Sequence, residues 1–192
     1  MSLPQPLLHT HICRGLNGNL AIAKEAIKYV KGNMPLGASN NGTEAVKSWF
    51  SGIALSETGE CVLSLKEDRD EWKSKKHRST FDIIRWTADR ALRSGCGNCD
   101  EHAMAVYWHL TQHRHDVCPV DLMSIPNEHV FVVIGREKDE NVNEPGKWGV
   151  DAVICDAWDD QAGPANHMFD TWKFFNRFEA GRKPIRRWHR TQ

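Results

Sequence analysis

Gly95-Cys-Gly-Asn-Cys-Asp-Glu-His-Ala103 marks the point where the texture of this chain changes. Ahead of it, apolar residues recur at helical spacing. Leu20, Ala23, Ile27 and Val30 predict a helix over 19–31, with an Asn as its cap and Gly32 as its stop. Thr43-Glu-Ala-Val-Lys-Ser-Trp-Phe predicts a shorter second helix after the loop Gly37-Ala-Ser-Asn-Asn-Gly42. Residues 66–78 mix both charge signs and read as a solvated helix face or exposed loop. Ser79-Thr-Phe-Asp82 has the spacing of a capping box and opens a helix. Its predicted buried stripe is Phe81, Ile84, Ala88 and Ala91/Leu92, and Gly95 ends it.

A further helix runs from Cys99 through Ala103, Val106, Tyr107 and Leu110. After His115 the apolar residues gather into three short runs. These are Val117-Cys-Pro-Val-Asp-Leu-Met-Ser-Ile, His129-Val-Phe-Val-Val-Ile-Gly and Val150-Asp-Ala-Val-Ile-Cys-Asp, and they read as strands. A polar Glu/Asn/Pro/Gly loop separates the second from the third, as in an antiparallel pair. Helices first and antiparallel strands after them predict an α+β fold, with a helical N-terminal half packed on the sheet.

Composition bounds the function. The 192 residues carry 25 Lys+Arg against 25 Asp+Glu, with 40% hydrophobic and 26% charged residues, the profile of one globular domain over 1–192. That balance argues against nucleic acid as the main partner, since neutralising phosphates needs a surplus of basic residues. No apolar run approaches the ~18 residues of a membrane span. The N-terminus lacks the basic region and apolar stretch of a Sec signal. The expected location is therefore the cytoplasm, or a target cell reached by secretion without a Sec signal. The stretch 177–192 has six Lys/Arg against one Glu. It reads as a basic, solvated arm that could meet an anionic partner.

Of six cysteines, Cys13, Cys61, Cys118 and Cys155 lie in apolar or strand-like surroundings and read as small buried hydrophobes. Without a secretion signal, a reducing compartment is expected. Cys99 differs, because it opens a helix behind a Gly-bracketed turn. Unpaired N–H groups and the helix dipole there favour a thiolate and should lower its pKa. A thiolate nucleophile needs a base held by a third polar group. His129 starts one strand and Asp156 ends the next, so antiparallel pairing brings them together at one end of the sheet. Packing the first turn of the Cys99 helix against that end completes a Cys99-His129-Asp156 site.

Those residues resemble a known family. Gly95-Cys-Gly-Asn-Cys-Asp-Glu-His-Ala103, Glu128-His-Val-Phe-Val-Val133 and Trp148-Gly-Val-Asp-Ala-Val-Ile-Cys-Asp156-Ala-Trp158 look like the signature blocks of the transglutaminase-like, papain-like cysteine enzymes. The closest style is that of bacterial effector and toxin glutamine deamidases. The likeness covers a core of about 79–160. It departs at Phe131, where the family often has Trp two residues after the His. The resemblance implies a papain/transglutaminase-like fold with Cys99 as nucleophile, His129 as base then acid, and Asp156 orienting His129. The oxyanion would be held by the Cys99 N–H and a side-chain amide, from Asn98 or Gln161. It also implies no cofactor, no metal, and a protein substrate attacked at a glutamine side chain. A cysteine protease or a transglutaminase of the same fold is the alternative.

Two other readings of Cys96-x-x-Cys99 stand beside this one. With His102, and with Cys118, Cys155 or the His113/His115 pair, it could supply a zinc site or an interaction module. The same spacing could also form a Cys96–Cys99 regulatory disulfide. Of the eight Trp residues, Trp49, Trp158 and Trp172 read as core.

Overall fold

A computed structural model of the protein describes residues 14–41, 55–74, 78–114, 117, 119–137, 142–168 and 185–190. The helix expected at 43–50 lies outside them, as do Cys13, Cys118, Trp49 and Trp172. Helix α1 (Gly15–Asn33) buries Ile22, Ala23, Ala26, Ile27 and Val30 at helical spacing. It begins earlier than the Asn read as its cap and passes through Gly32. Asn19 is instead a buried residue of the helix, donating from Nδ2 to the Asp151 carbonyl at 2.8 Å.

Helix α2 (Leu55–Ser74) contains most of the charge-rich segment, and it buries Leu65. Helix α3 (Thr80–Ser94) starts at the expected capping box. The Asp82 N–H donates to Ser79 Oγ at 3.1 Å, and the Ser79 N–H donates to Asp82 Oδ2 at 3.2 Å. The Ser79 hydroxyl, donating to Asp82 Oδ2 at 2.7 Å, and the Ser79 N–H hold the Asp82 carboxyl below its ordinary pKa. The helix buries Ile84, Thr87, Ala88 and Ala91, while Phe81 stays partly in solvent. Gly95 ends it with a φ of 77°, a left-handed conformation that glycine adopts without a side-chain clash.

Helix α4 (Cys99–His113) leads into the sheet. Strands β1 (Val120–Ile125) and β2 (His129–Ile134) form a hairpin with Ile125 opposite His129 and Val120 opposite Ile134. Every residue of both strands is buried, which is why they read as apolar runs with little alternation. Strand β3 (Val153–Asp156) follows a 3₁₀ turn (Pro145–Lys147), and β4 (Gln161–Pro164) and the short α5 (Ala165–Met168) follow β3. The last strand, β5 (Ile185–Arg190), returns to the outer edge of β1.

The sheet order is β4-β3-β2-β1-β5, antiparallel throughout. Of the stretch 177–192 expected as a solvated arm, residues 185–190 are described, and they are an edge strand rather than an arm; the rest lies outside the described residues. Counting charges misses this, because edge strands are where basic residues are tolerated and where they discourage further pairing. Helices α1 and α4 pack on one face, against Leu122, Val130, Val132, Val153 and Cys155, and α3 packs on α4. The other face carries Met123, Phe131, Val133 and Ile154 under Trp148, Trp158 and Met168. The fold is α+β, with the helical N-terminal half on an antiparallel sheet. No described helix is long and apolar enough to cross a membrane.

Candidate active site at the end of the sheet

Cys99 is the first residue of α4 and follows Asn98, which is extended as a helix start requires. The turn before it is fixed from several directions. The Asn98 N–H donates to Glu101 Oε2 at 2.8 Å, and Arg69 of α2 donates to Glu101 Oε1 at 2.6 Å. The Gly97 N–H donates to the Gly37 carbonyl at 3.0 Å. A Cβ on Gly97 would lie 2.3 Å from Glu101 Cβ, so no larger residue fits without displacing the helix start. Cys96 is bonded to Cys61 of α2. This corrects three expectations. Cys61 is a bridge rather than a packing thiol, Cys96 does not pair with Cys99, and Cys96 has no thiolate to offer a metal. Among the described residues, no three His, Cys, Asp or Glu side chains are grouped to hold a metal ion.

The thiol of Cys99 meets the sheet at a gap in its ladder. The Gly135 N–H donates to the Pro119 carbonyl on the β1 side at 2.8 Å. Alternation along β2 therefore turns the N–H groups of Val130, Val132 and Ile134 toward β3. Pairing with β3 runs from Ile134 opposite Val153 to Val132 opposite Cys155 and stops there. The Val130 N–H, one step past the end, points to the sulfur of Cys99. Cys99 thus sits beside the residue that follows His129.

His129 and Asp156 meet as their strands dictate. The His129 ring nitrogen Nε2 lies 2.7 Å from Asp156 Oδ2, with both side chains about 1% exposed. The second carboxylate oxygen, Oδ1, accepts the Trp158 N–H at 3.0 Å and the Asp159 N–H at 3.2 Å. The turn after β3 therefore sets the carboxylate, and the carboxylate sets the ring. Trp158 tilts over the imidazole at 5.1 Å between centroids, and Phe131 stacks on it at 6.2 Å.

The expected depression of the Cys99 pKa is not found. Burial pushes the thiol up to about 11. The charges of Asp100, Glu101 and Asp156 push the same way, and the Val130 N–H acts in the opposite sense. Desolvation and three nearby carboxylates outweigh the helix terminus, whose effect is worth only about 0.3–1 kcal/mol in ordinary settings. The resting residue is a neutral thiol.

Asn98 Oδ1 accepts a bond from Ser39 Oγ at 3.2 Å. Gln161 is the register partner of Asp156 on the edge strand β4. It is exposed and, with Lys24, Lys28 and Lys31 of α1, lines a groove of about 660 Å³. Of the two expected amides, Asn98 is therefore the one attached to the Cys99 turn.

Several residues of this site carry no mark in the sequence. Asn41 Nδ2 donates to the Trp158 carbonyl at 2.5 Å, and Trp158 Nε1 donates to Asn40 Oδ1 at 2.8 Å. The segment read only as an Asn/Gly loop is a wall of the site, and Trp158 is part of the His129 surround as well as core. Polar clusters in loops are the available signal, but they do not say what they touch. Compared with known proteins, the chain matches no family model and no curated protein.

Proposed function

We propose that the protein is a thiol-dependent acyl-transfer hydrolase of papain/transglutaminase-like architecture. Cys99 is its nucleophile, His129 its base and then acid, and Asp156 the group that orients His129. One observation carries this reading. A buried imidazole–carboxylate pair at 2.7 Å stands one residue from the backbone N–H that holds a helix-start thiol. With Nε2 committed to Asp156, the ring proton sits on Nε2, and Nδ1 is the nitrogen that takes the thiol proton.

The raised thiol pKa means that proton transfer accompanies attack rather than preceding it. Sulfur adds to a carboxamide carbon as Nδ1 takes its proton. The Cys99 N–H, at the start of α4, faces the developing oxyanion with Asn98 beside it. The C–N bond then breaks, ammonia leaves with the proton from His129, and a thioester remains. Water, deprotonated by the same ring, hydrolyses it to a carboxylate and restores the thiol.

Burial favours a slender substrate group. His129 is 2% exposed, Asp156 1%, and Cys99 only partly exposed. A glutamine side chain can reach such a thiol end-on, whereas a main-chain peptide must lie across it. Protein glutamine deamidation is accordingly the leading reaction, in the manner of a bacterial effector or toxin acting in a target cell.

The test is intact-mass analysis of candidate protein substrates with wild type and Cys99→Ala. Deamidation adds about one dalton with release of ammonia, and Cys99→Ala loses at least about a thousandfold in rate while keeping its circular dichroism. Fragments would reassign the enzyme as a protease, and amine incorporation as a transglutaminase. Full activity in Cys99→Ala would remove the mechanism.

A further inference from the structure

Helix α2 touches the Cys99 turn twice, once on each side of the nucleophile. Cys61 is bonded to Cys96, three residues before Cys99. Arg69, about two helical turns further along α2, holds Glu101, two residues after Cys99. Glu101 in turn holds the Asn98 N–H. These ties do not merely supplement apolar packing. Among the α2 side chains described, Leu65 is the one buried hydrophobic residue, and Leu63 is 62% exposed. Elsewhere α2 meets α3 through the Asp68–Arg90 ion pair and the stacked rings of Trp72 and Trp86. At the Cys99 turn itself, the attachments of this helix are the covalent and ionic ones.

We propose that α2 is a positioning clamp on the Cys99 turn, closed by the Cys61–Cys96 disulfide and the Arg69–Glu101 pair, and that a dithiol reductant opens it. A reductant thiolate attacks the sulfur of Cys61, the more accessible partner, since Cys96 is fully buried. The S–S bond breaks, a mixed disulfide forms at Cys61, and the electron pair passes to Cys96 Sγ, which takes a proton. The reductant's second thiol displaces Cys61, which leaves protonated, and the reductant ends as its own disulfide. Two electrons and two protons have moved to the protein. Residues 95–98 are then held by Arg69–Glu101, by the backbone bonds from Leu36 N–H to Gly95 O, Gly95 N–H to Ala91 O and Gly97 N–H to Gly37 O, and by Ser39 Oγ on Asn98 Oδ1, with no covalent tie left. With the turn loosened, water reaches the Cys99 thiol, and the burial that suppresses its ionisation relaxes. The site therefore differs between an oxidising medium and a reducing cytosol.

The inference builds on Cys99 as the reacting thiol, but its test requires no turnover. Folded full-length protein, oxidised or reduced with dithiothreitol, is treated with iodoacetamide at pH 8. Alkylation is then read residue by residue by mass spectrometry. Cys99 should react at least tenfold faster after reduction, approaching about a hundredfold if its pKa returns from about 11 to the ordinary 9.0. Cys155, fully buried against α1, is the internal control and should not change. The Cys61→Ser/Cys96→Ser variant should show the fast Cys99 rate with or without reductant. In reduced protein, Arg69→Met should raise the rate further and Arg69→Lys should restore it in part. Equal Cys99 rates in the two redox states of folded protein would overturn the proposal, as would parallel acceleration of Cys155, the mark of general loosening. If Cys99→Ala remained active, the catalytic reading would fall while the alkylation ratio still decided the clamp.

Discussion

His129 and Asp156 stand on adjacent strands of an antiparallel sheet, whereas Cys99 is held by side chains and turns gathered from distant parts of the chain. On the strand side, register alone opposes a strand start to a strand end, and two backbone N–H groups lock the carboxylate. On the helix side, the disulfide to Cys61, the Arg69–Glu101 pair and the contact with Gly37 share the work. A sheet distributes its restraint over many backbone bonds, so no one side chain is decisive for bringing the ends of β2 and β3 together. The Cys99 turn concentrates its restraint in a few groups, so single changes there should alter reactivity before they alter stability.

The largest expected effect on stability lies in the sheet, away from the chemistry. Arg136 and Asp121 form an ion pair at 2.6 Å with both side chains 0% exposed, and Arg136 also donates to the Glu137 carbonyl at 2.9 Å. Removing one partner leaves the other charge buried. Asp121→Ala should therefore destabilise the fold by about 3–5 kcal/mol in urea unfolding. A loss below about 1 kcal/mol would mean that the strand side is less rigid than its burial indicates.

Asp156→Asn probes the junction of the two halves. The carboxylate divides its duties, one oxygen for the His129 ring and the other for the N–H groups of Trp158 and Asp159. Asparagine has a single oxygen, and its amide nitrogen cannot accept. Either the turn or the imidazole is left unserved. The expected result is a fall in kcat of about a hundredfold or more, at little change in KM. An unchanged kcat would detach Asp156 from the chemistry and leave it a turn residue.

The contrast between the two halves also explains what could be read from the sequence. The α+β order, the hairpin and the meeting of His129 with Asp156 follow from local pattern plus antiparallel adjacency, which operate over tens of residues. The helix side depends on contacts that no spacing encodes. Six cysteines permit many pairings, and only the fold sets Cys61 on Cys96. The same holds for Arg69 with Glu101, and for Asn40 and Asn41 with Trp158. The direction of the Cys99 pKa is hidden for a related reason. A helix start can be seen in sequence, but the burial and carboxylates that outweigh it cannot. At 185–190 the basic composition concealed a strand, because a run of charge does not by itself mean absence of pairing.

The smallest effect tests that pKa directly. A thiol whose folded pKa is raised from 9.0 to about 11 ionises first in the unfolded chain. Its contribution to stability is complete below pH 9 and is lost as pH climbs through 9 toward 11. By pH 10 the loss should be about 1 kcal/mol. Lysines, tyrosines and the still more strongly raised Cys155 titrate in the same range. The quantity to measure is therefore the difference between wild type and Cys99→Ser in urea unfolding at pH 8 and pH 10. Wild type should lose about 1 kcal/mol more than the variant over that interval, since serine does not titrate there. If the two lines stay parallel, Cys99 is no harder to ionise in the fold than out of it. Burial would then not suppress its ionisation, and proton transfer to His129 would no longer have to accompany attack.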